Sequence, residues 1–158
     1  MLDFTNLHSH IIPLERFQLS WRFNDKKYDI LPSFDLKKLK PFDEIASKYL
    51  YDFLKDKNLH DEIPFTKDFF KRIKSIEITY QNDNDIRSWL YECGIPLQQE
   101  VILSWSPATS MLLPWEILIK YFDSFYYPSS DDLTVFDQSL NWAILFAHYD
   151  EIYFGSNL

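Results

Sequence analysis

With 158 residues, 46% of them apolar and 18% aromatic, the chain has the length of one domain and is too rich in large apolar groups to be disordered, collagen-like or low-complexity. A single cysteine excludes an internal disulfide framework and any multi-cysteine metal centre, and two glycines are too few for a phosphate loop, a dinucleotide fingerprint or a GxSxG nucleophile elbow. The formal net charge of −8 arises within residues 88–158, which hold nine acids and one base, whereas residues 1–87 balance; a surface of that sign repels nucleic acid and anionic lipid.

Residues 1–16 carry little pattern and read as an irregular arm or a short helix. From Phe17 to Phe23 the apolar residues alternate, which predicts a half-buried strand, and Tyr28–Leu31 is positioned to pair back after the Asn24–Lys27 turn. The clearest helix comes next. Pro41 suits its first position, Asp43 and Glu44 favour the positive end of its dipole, and Phe42, Ile45, Ala46, Tyr49, Leu50, Phe53 and Leu54 form one apolar stripe. Thr66 is suited to cap a second helix through Phe69, Phe70 and Ile73, with strand composition following at Ile76–Tyr80. Asp83 or Asp85 caps a third helix bearing Ile86, Trp89, Leu90 and Cys93, and Gly94 ends it.

Glu100–Trp105 reads as a strand, and Pro114 opens a helix whose apolar face is Trp115, Leu118, Tyr121, Phe122 and Phe125. Residues 127–132 (YPSSDD) have turn chemistry throughout. Leu133–Phe136, Trp142–Ala147 and Ile152–Phe154 then read as three strands joined by short loops, which favours antiparallel pairing. The fold class is α+β: one domain over 1–158, a mostly antiparallel sheet with about three helices, and a candidate subdomain seam near residue 88.

Two ends of these strands gather chemistry. If the C-terminal strands are neighbours, His148, Asp150 and Glu151 meet Asp131 and Asp132 at one end of the sheet, where imidazole and carboxylates can ligate a divalent metal or exchange protons. The competing reading is that Asp populates turns because its side chain bonds nearby amides. Tyr126, Tyr127, Tyr149 and Tyr153 lie in or beside the same acidic loops, and tyrosine among carboxylates is the composition of a docking surface for a cationic protein; it is equally that of residues closing the ends of a sheet. His8 and His10 read as a surface arm, Asn82–Asp85 as a cap and turn in place of a calcium loop, and Cys93 as a small buried hydrophobe. Lys67, Lys71, Arg72 and Lys74 read as a solvated helix face.

The stretch Trp115, Tyr121, Phe125, Tyr127, Pro128, Ser129, Ser130, Asp131, Asp132, Trp142, His148, Glu151, Phe154 and Gly155 resembles the C-terminal signature of small uncharacterised bacterial proteins, in which an aromatic helix leads to a YPSSDD turn, a Trp-bearing strand and an HxxE segment before a final Phe-Gly. Some small acidic bacterial proteins of this look are immunity proteins of toxin systems. By that analogy the resemblance implies a non-catalytic inhibitor of a basic toxin.

Composition and resemblance together lead to the expectation of an acidic binding protein that engages a basic partner through Tyr126, Tyr127, Asp131, Asp132, Tyr149, Asp150 and Glu151, with no cofactor, no metal, and no nucleic-acid or membrane partner. The alternatives are a small metal-assisted hydrolase using His148, Asp131, Asp132 and Glu151, and a homodimeric structural protein that buries its spare aromatics. Asp3, His8 and His10 interrupt any secretory apolar run and the one thiol suits a reducing compartment, so the expected location is cytoplasmic.

Overall fold

The computed structural model describes residues 1–25, 27, 31–79 and 81–158. Two 3-10 turns, Leu7–His10 and Leu14–Arg16, lead to helices α1 (Trp21–Asn24) and α2 (Ser33–Leu36). Strand β1 (Lys40–Pro41), helix α3 (Glu44–Asp56), strand β2 (Arg72–Glu77) and helix α4 (Asp83–Tyr91) follow. A hairpin of β3 (Glu100–Ser106) and β4 (Thr109–Pro114) runs into α5 (Trp115–Lys120) and α6 (Phe122–Phe125), and then come β5 (Leu133–Phe136), β6 (Trp142–Ala147) and β7 (Glu151–Ser156).

The strands form one antiparallel sheet in the order β1-β4-β3-β5-β6-β7-β2, so strands from both sides of residue 88 share it. The fold is α+β. Period-2 alternation sends Val101, Leu103, Leu133, Val135, Ile144, Phe146, Ile152 and Phe154 to one face, where α4, α5, α6 and Phe17, Phe23 and Leu31 cover them. Ile102, Phe136, Ala143, Leu145 and Ala147 point the other way, toward α3, Leu7 and the Leu59–Phe70 segment. A sheet buried on both faces explains why β5 and β6 are buried at every position.

Several expectations are corrected. Residues 17–23 are not a strand: Trp21–Asn24 is helical, and the core receives Phe17 from the bend after the second 3-10 turn and Phe23 from α1. The strand expected at Tyr28–Leu31 falls on residues 28–30, outside the described residues. Pro41 lies in edge strand β1 opposite Met111, where a missing N–H is tolerated, and Asp43 is the true cap of α3, accepting from the Ala46 amide at 2.9 Å. The stripe of α3 is turned accordingly, with Ala46, Ser47, Leu50 and Leu54 inside and Ile45 66% exposed. No helix follows Thr66. Its hydroxyl instead closes the loop after α3, donating to the Asn58 carbonyl and accepting from the Asp61 amide at 3.0 Å. The basic cluster therefore lies on a turn and on edge strand β2, where the Lys74 ammonium sits 5.1 Å from the Trp89 ring centroid. Asn82 precedes α4 at the N-cap position without a side-chain capping bond, its amide group instead bonding Thr79 and Glu77, and β4 has no counterpart in the sequence reading. Among the described residues six helices stand where about three were expected, and α1, α2 and α6 are single turns of four residues. Among the described residues no helix is long and apolar enough to cross a membrane.

A cleft at one end of the sheet

On the α3 side of the sheet, a cleft of about 610 Å³ opens beside the second half of the helix. Its floor is Ser104, Thr134, Leu145 and Ala147 from β3, β5 and β6; Tyr51 and Leu54 of α3 form one wall, Asp61 and Ile63 another, and Trp105, Asp132, His148 and Tyr149 the rim. The floor is unusual for its place. Phe136 and Leu145 share this face with Thr134, yet Ser104 and Thr134 put two hydroxyls side by side as cross-strand partners.

His60 reaches this floor from the loop behind α3. That loop turns through Asn58 in the left-handed region (φ 57°) and is closed by Thr66, and the His60 ring stacks on Phe65 at 5.7 Å between centroids. His60 Nδ1 lies 2.8 Å from the Pro64 carbonyl and Nε2 lies 2.9 Å from Thr134 Oγ1. A carbonyl only accepts, so Nδ1 carries the proton of the neutral ring and Nε2 accepts from the threonine hydroxyl. Burial holds His60 below the ordinary histidine range; the Pro64 carbonyl and the Asp132 charge oppose this less strongly. Cys93, by contrast, is half-buried, its Sγ donates to the Trp89 carbonyl at 3.5 Å, and burial pushes its thiol up to about 12, which removes it as a nucleophile.

At the rim, Asp132 Oδ1 accepts from the His148 backbone amide at 2.9 Å and lies 3.1 Å from its Nδ1, so the 127–132 turn and the 148–150 turn do meet. The turn itself is a three-residue connection between Ala147 and Glu151 that places Asp150 in the left-handed region (φ 64°), a geometry aspartate tolerates. Tyr149 is 48% exposed, and its hydroxyl lies 2.9 Å from that of Tyr153. Glu151 stands directly opposite Glu77 of β2, and no ion pair within the described residues joins either carboxylate or Asp150.

The other residues singled out from sequence go elsewhere. Asp131 is buried, and both its carboxylate oxygens bind the buried Arg22 guanidinium, at 2.6 and 3.1 Å. Tyr126 is buried under Phe146 with its hydroxyl donating to the Ala147 carbonyl, and burial pushes that phenol up to about 12. Tyr127 is half-buried, its ring 4.1 Å from the Arg22 guanidinium. Tyr126 and Asp131 are therefore corrected from surface contacts to internal structure, because a buried arginine needs the carboxylate and a buried phenol needs the carbonyl. Asp132, Tyr149, Asp150 and Glu151 remain at the surface. Among the described residues no group of three or more His, Cys, Asp or Glu side chains is arranged to hold a metal ion. His60, Thr134 and Ser104 were missed as a group. For the two hydroxyls the signal was present in LTVF and VILSW, where Thr134 and Ser104 each share a strand face with one apolar residue, Phe136 and Ile102.

No family model, no curated protein and no solved structure matches this chain.

Proposed function

We propose that the chain is an acidic protein-binding module that engages a basic partner at the His148 end of the sheet, with a toxin-neutralising immunity protein as the specific case. One observation carries this reading. Glu77 and Glu151 face each other across the β2–β7 pair, with Asp150 in the adjoining turn and the exposed Tyr149 ring beside it. Like charges placed directly opposite destabilise a sheet, and a cation delivered by a partner relieves them. An aromatic ring next to unpaired carboxylates supplies rigid contact area together with complementary charge, and that charge accelerates encounter with a cationic surface.

The experiment is binding to the product of the reading frame immediately upstream, measured by surface plasmon resonance at 50 and 300 mM salt. The triple substitution Glu77→Gln, Asp150→Asn, Glu151→Gln is expected to slow association at least tenfold at low salt and to leave dissociation nearly unchanged. No binding, or binding indifferent both to salt and to the triple variant, overturns the reading.

A further inference from the structure

We propose that the cleft is also a nucleophilic centre for acyl transfer, in which Thr134 Oγ1 attacks a carboxylic ester and His60 Nε2 takes the hydroxyl proton. This goes beyond the docking reading and does not depend on it. The arrangement has the three parts such chemistry requires: a hydroxyl, a base within hydrogen-bond reach of it at 2.9 Å, and a third group, the Pro64 carbonyl at 2.8 Å, that fixes the tautomer and orientation of the base. The base is in its working form, since a neutral ring with its proton on Nδ1 directs the Nε2 lone pair at the threonine. The pair lies at the floor of an open cleft, and Phe65 stacking and the Thr66-closed loop hold the imidazole in place.

A purely structural pin does not explain what surrounds the pair. A pin needs only the Thr134 hydroxyl, without which His60 Nε2 would lose its donor. The fold instead keeps a second hydroxyl, Ser104, as the cross-strand neighbour of Thr134; it lines the same cleft and makes no hydrogen bond among the described residues. That hydroxyl is a donor positioned beside the site of attack, where an oxyanion develops. Tyr51, Leu54 and Ile63 give the cleft an apolar wall for the acyl chain, which points to esters of apolar or aromatic acids.

The steps balance without a further reagent beyond water. Thr134 Oγ1 bonds to the ester carbon, the carbonyl electron pair moves onto oxygen, and the hydroxyl proton passes to Nε2, leaving an imidazolium whose Nδ1–H still donates to Pro64. Collapse breaks the bond to the alcohol oxygen, which leaves with the Nε2 proton. Water then attacks the acyl-threonine, gives its proton to Nε2, and Thr134 departs reprotonated from the same nitrogen.

The test is covalent capture with an alkyl fluorophosphonate, followed by mass spectrometry of the peptide carrying residue 134, with p-nitrophenyl butyrate turnover measured in parallel. The expected adduct is on Thr134. Thr134→Ser keeps both labelling and turnover, while Thr134→Val and His60→Gln each lower them about 100-fold in protein whose thermal melt shows it folded. No adduct on residue 134 in wild type and in Thr134→Ser, an adduct on Ser104 instead, or a labelling rate that His60→Gln leaves unchanged overturns the proposal. The triple variant used for docking lies outside the cleft and is expected to label at the wild-type rate, so failure of one reading is distinguishable from failure of the other.

Discussion

Arg22 carries its guanidinium into the interior with 5% of the residue exposed. Such a charge is tolerable only if its partners are complete, and they nearly are. Asp131 binds it through both oxygens, the Phe125 carbonyl accepts at 3.4 Å, the Tyr127 ring covers it, and only Nε lacks a partner. Asp131 Oδ2 also accepts the Tyr127 amide at 2.8 Å, so one carboxylate ties α1 to the 127–131 turn. Asp131→Asn keeps the shape but removes the counter-charge, and it is expected to destabilise the protein by about 3–5 kcal/mol in urea unfolding. The double variant Arg22→Met, Asp131→Asn is expected to recover at least half of that loss, because no uncompensated charge is then left inside. If the single variant falls by less than about 1 kcal/mol, the pair does not anchor the turn. The sequence offered no means of finding this pair, since its members are 109 positions apart and nothing local marks Arg22 as buried.

Helix α3 shows what pattern reveals and what it conceals. Its existence and inward stripe follow from 3.6-residue spacing, and Ala46, Leu50 and Leu54 are indeed buried. Its start was misread by a turn because Pro41 fits both a first helical position and an edge strand, and only pairing with Met111 decides between them. Tertiary packing likewise overrode local signals at Thr66, whose cap-like hydroxyl is used by a loop, and at Phe17–Phe23, where Phe17 enters the core from a bend and Phe23 from a single helical turn. Strands β5, β6 and β7 were legible because three apolar runs separated by turn residues allow only hairpins, whereas β4 (Thr109–Pro114, TSMLLP) ends in a proline and lacks β-branched or aromatic apolar residues, so it carries no such signature. At the helix start Asp43 has two tasks: capping the Ala46 amide and pairing with His10 Nδ1 at 2.8 Å. Asp43→Ala is expected to lower stability by about 1 kcal/mol, and Asp43→Asn, which keeps the cap, by a few tenths. A urea series in which Asn falls as far as Ala would transfer the effect from the cap to the His10 pair.

Across the whole molecule, folding rearranges the charges that the linear chain separates. Arg22, Lys40 and Arg87, all from the balanced first half, pair with Asp131, Glu100 and Asp123 of the acidic half, so that half carries fewer unpaired carboxylates than the sequence implies. The juxtaposition of His148 with Asp132 was legible from strand order; the cleft behind it was not, because His60 arrives from a loop 74 positions away from Thr134 and only the packing of that loop on the sheet brings them together. That burial couples His60 to global stability. Its folded-state pKa lies below the ordinary value of 6.5, chiefly because desolvation penalises the imidazolium. Below pH 6.5 the unfolded chain therefore binds a proton that the folded chain does not, and unfolding free energy falls with pH by at most about 1.4 kcal/mol per unit until the folded-state pKa is passed. Above 6.5 neither state is protonated there and the term vanishes. The wild type is thus expected to lose more stability than His60→Gln between pH 7.5 and pH 5.5. The contributions of His8, His10, His148 and the carboxylates are common to both proteins and cancel in the difference. Urea midpoints measured at half-unit intervals give the comparison directly: parallel profiles would mean that folding does not lower the His60 pKa, and that the ring takes up a proton in the folded protein as readily as in the unfolded chain.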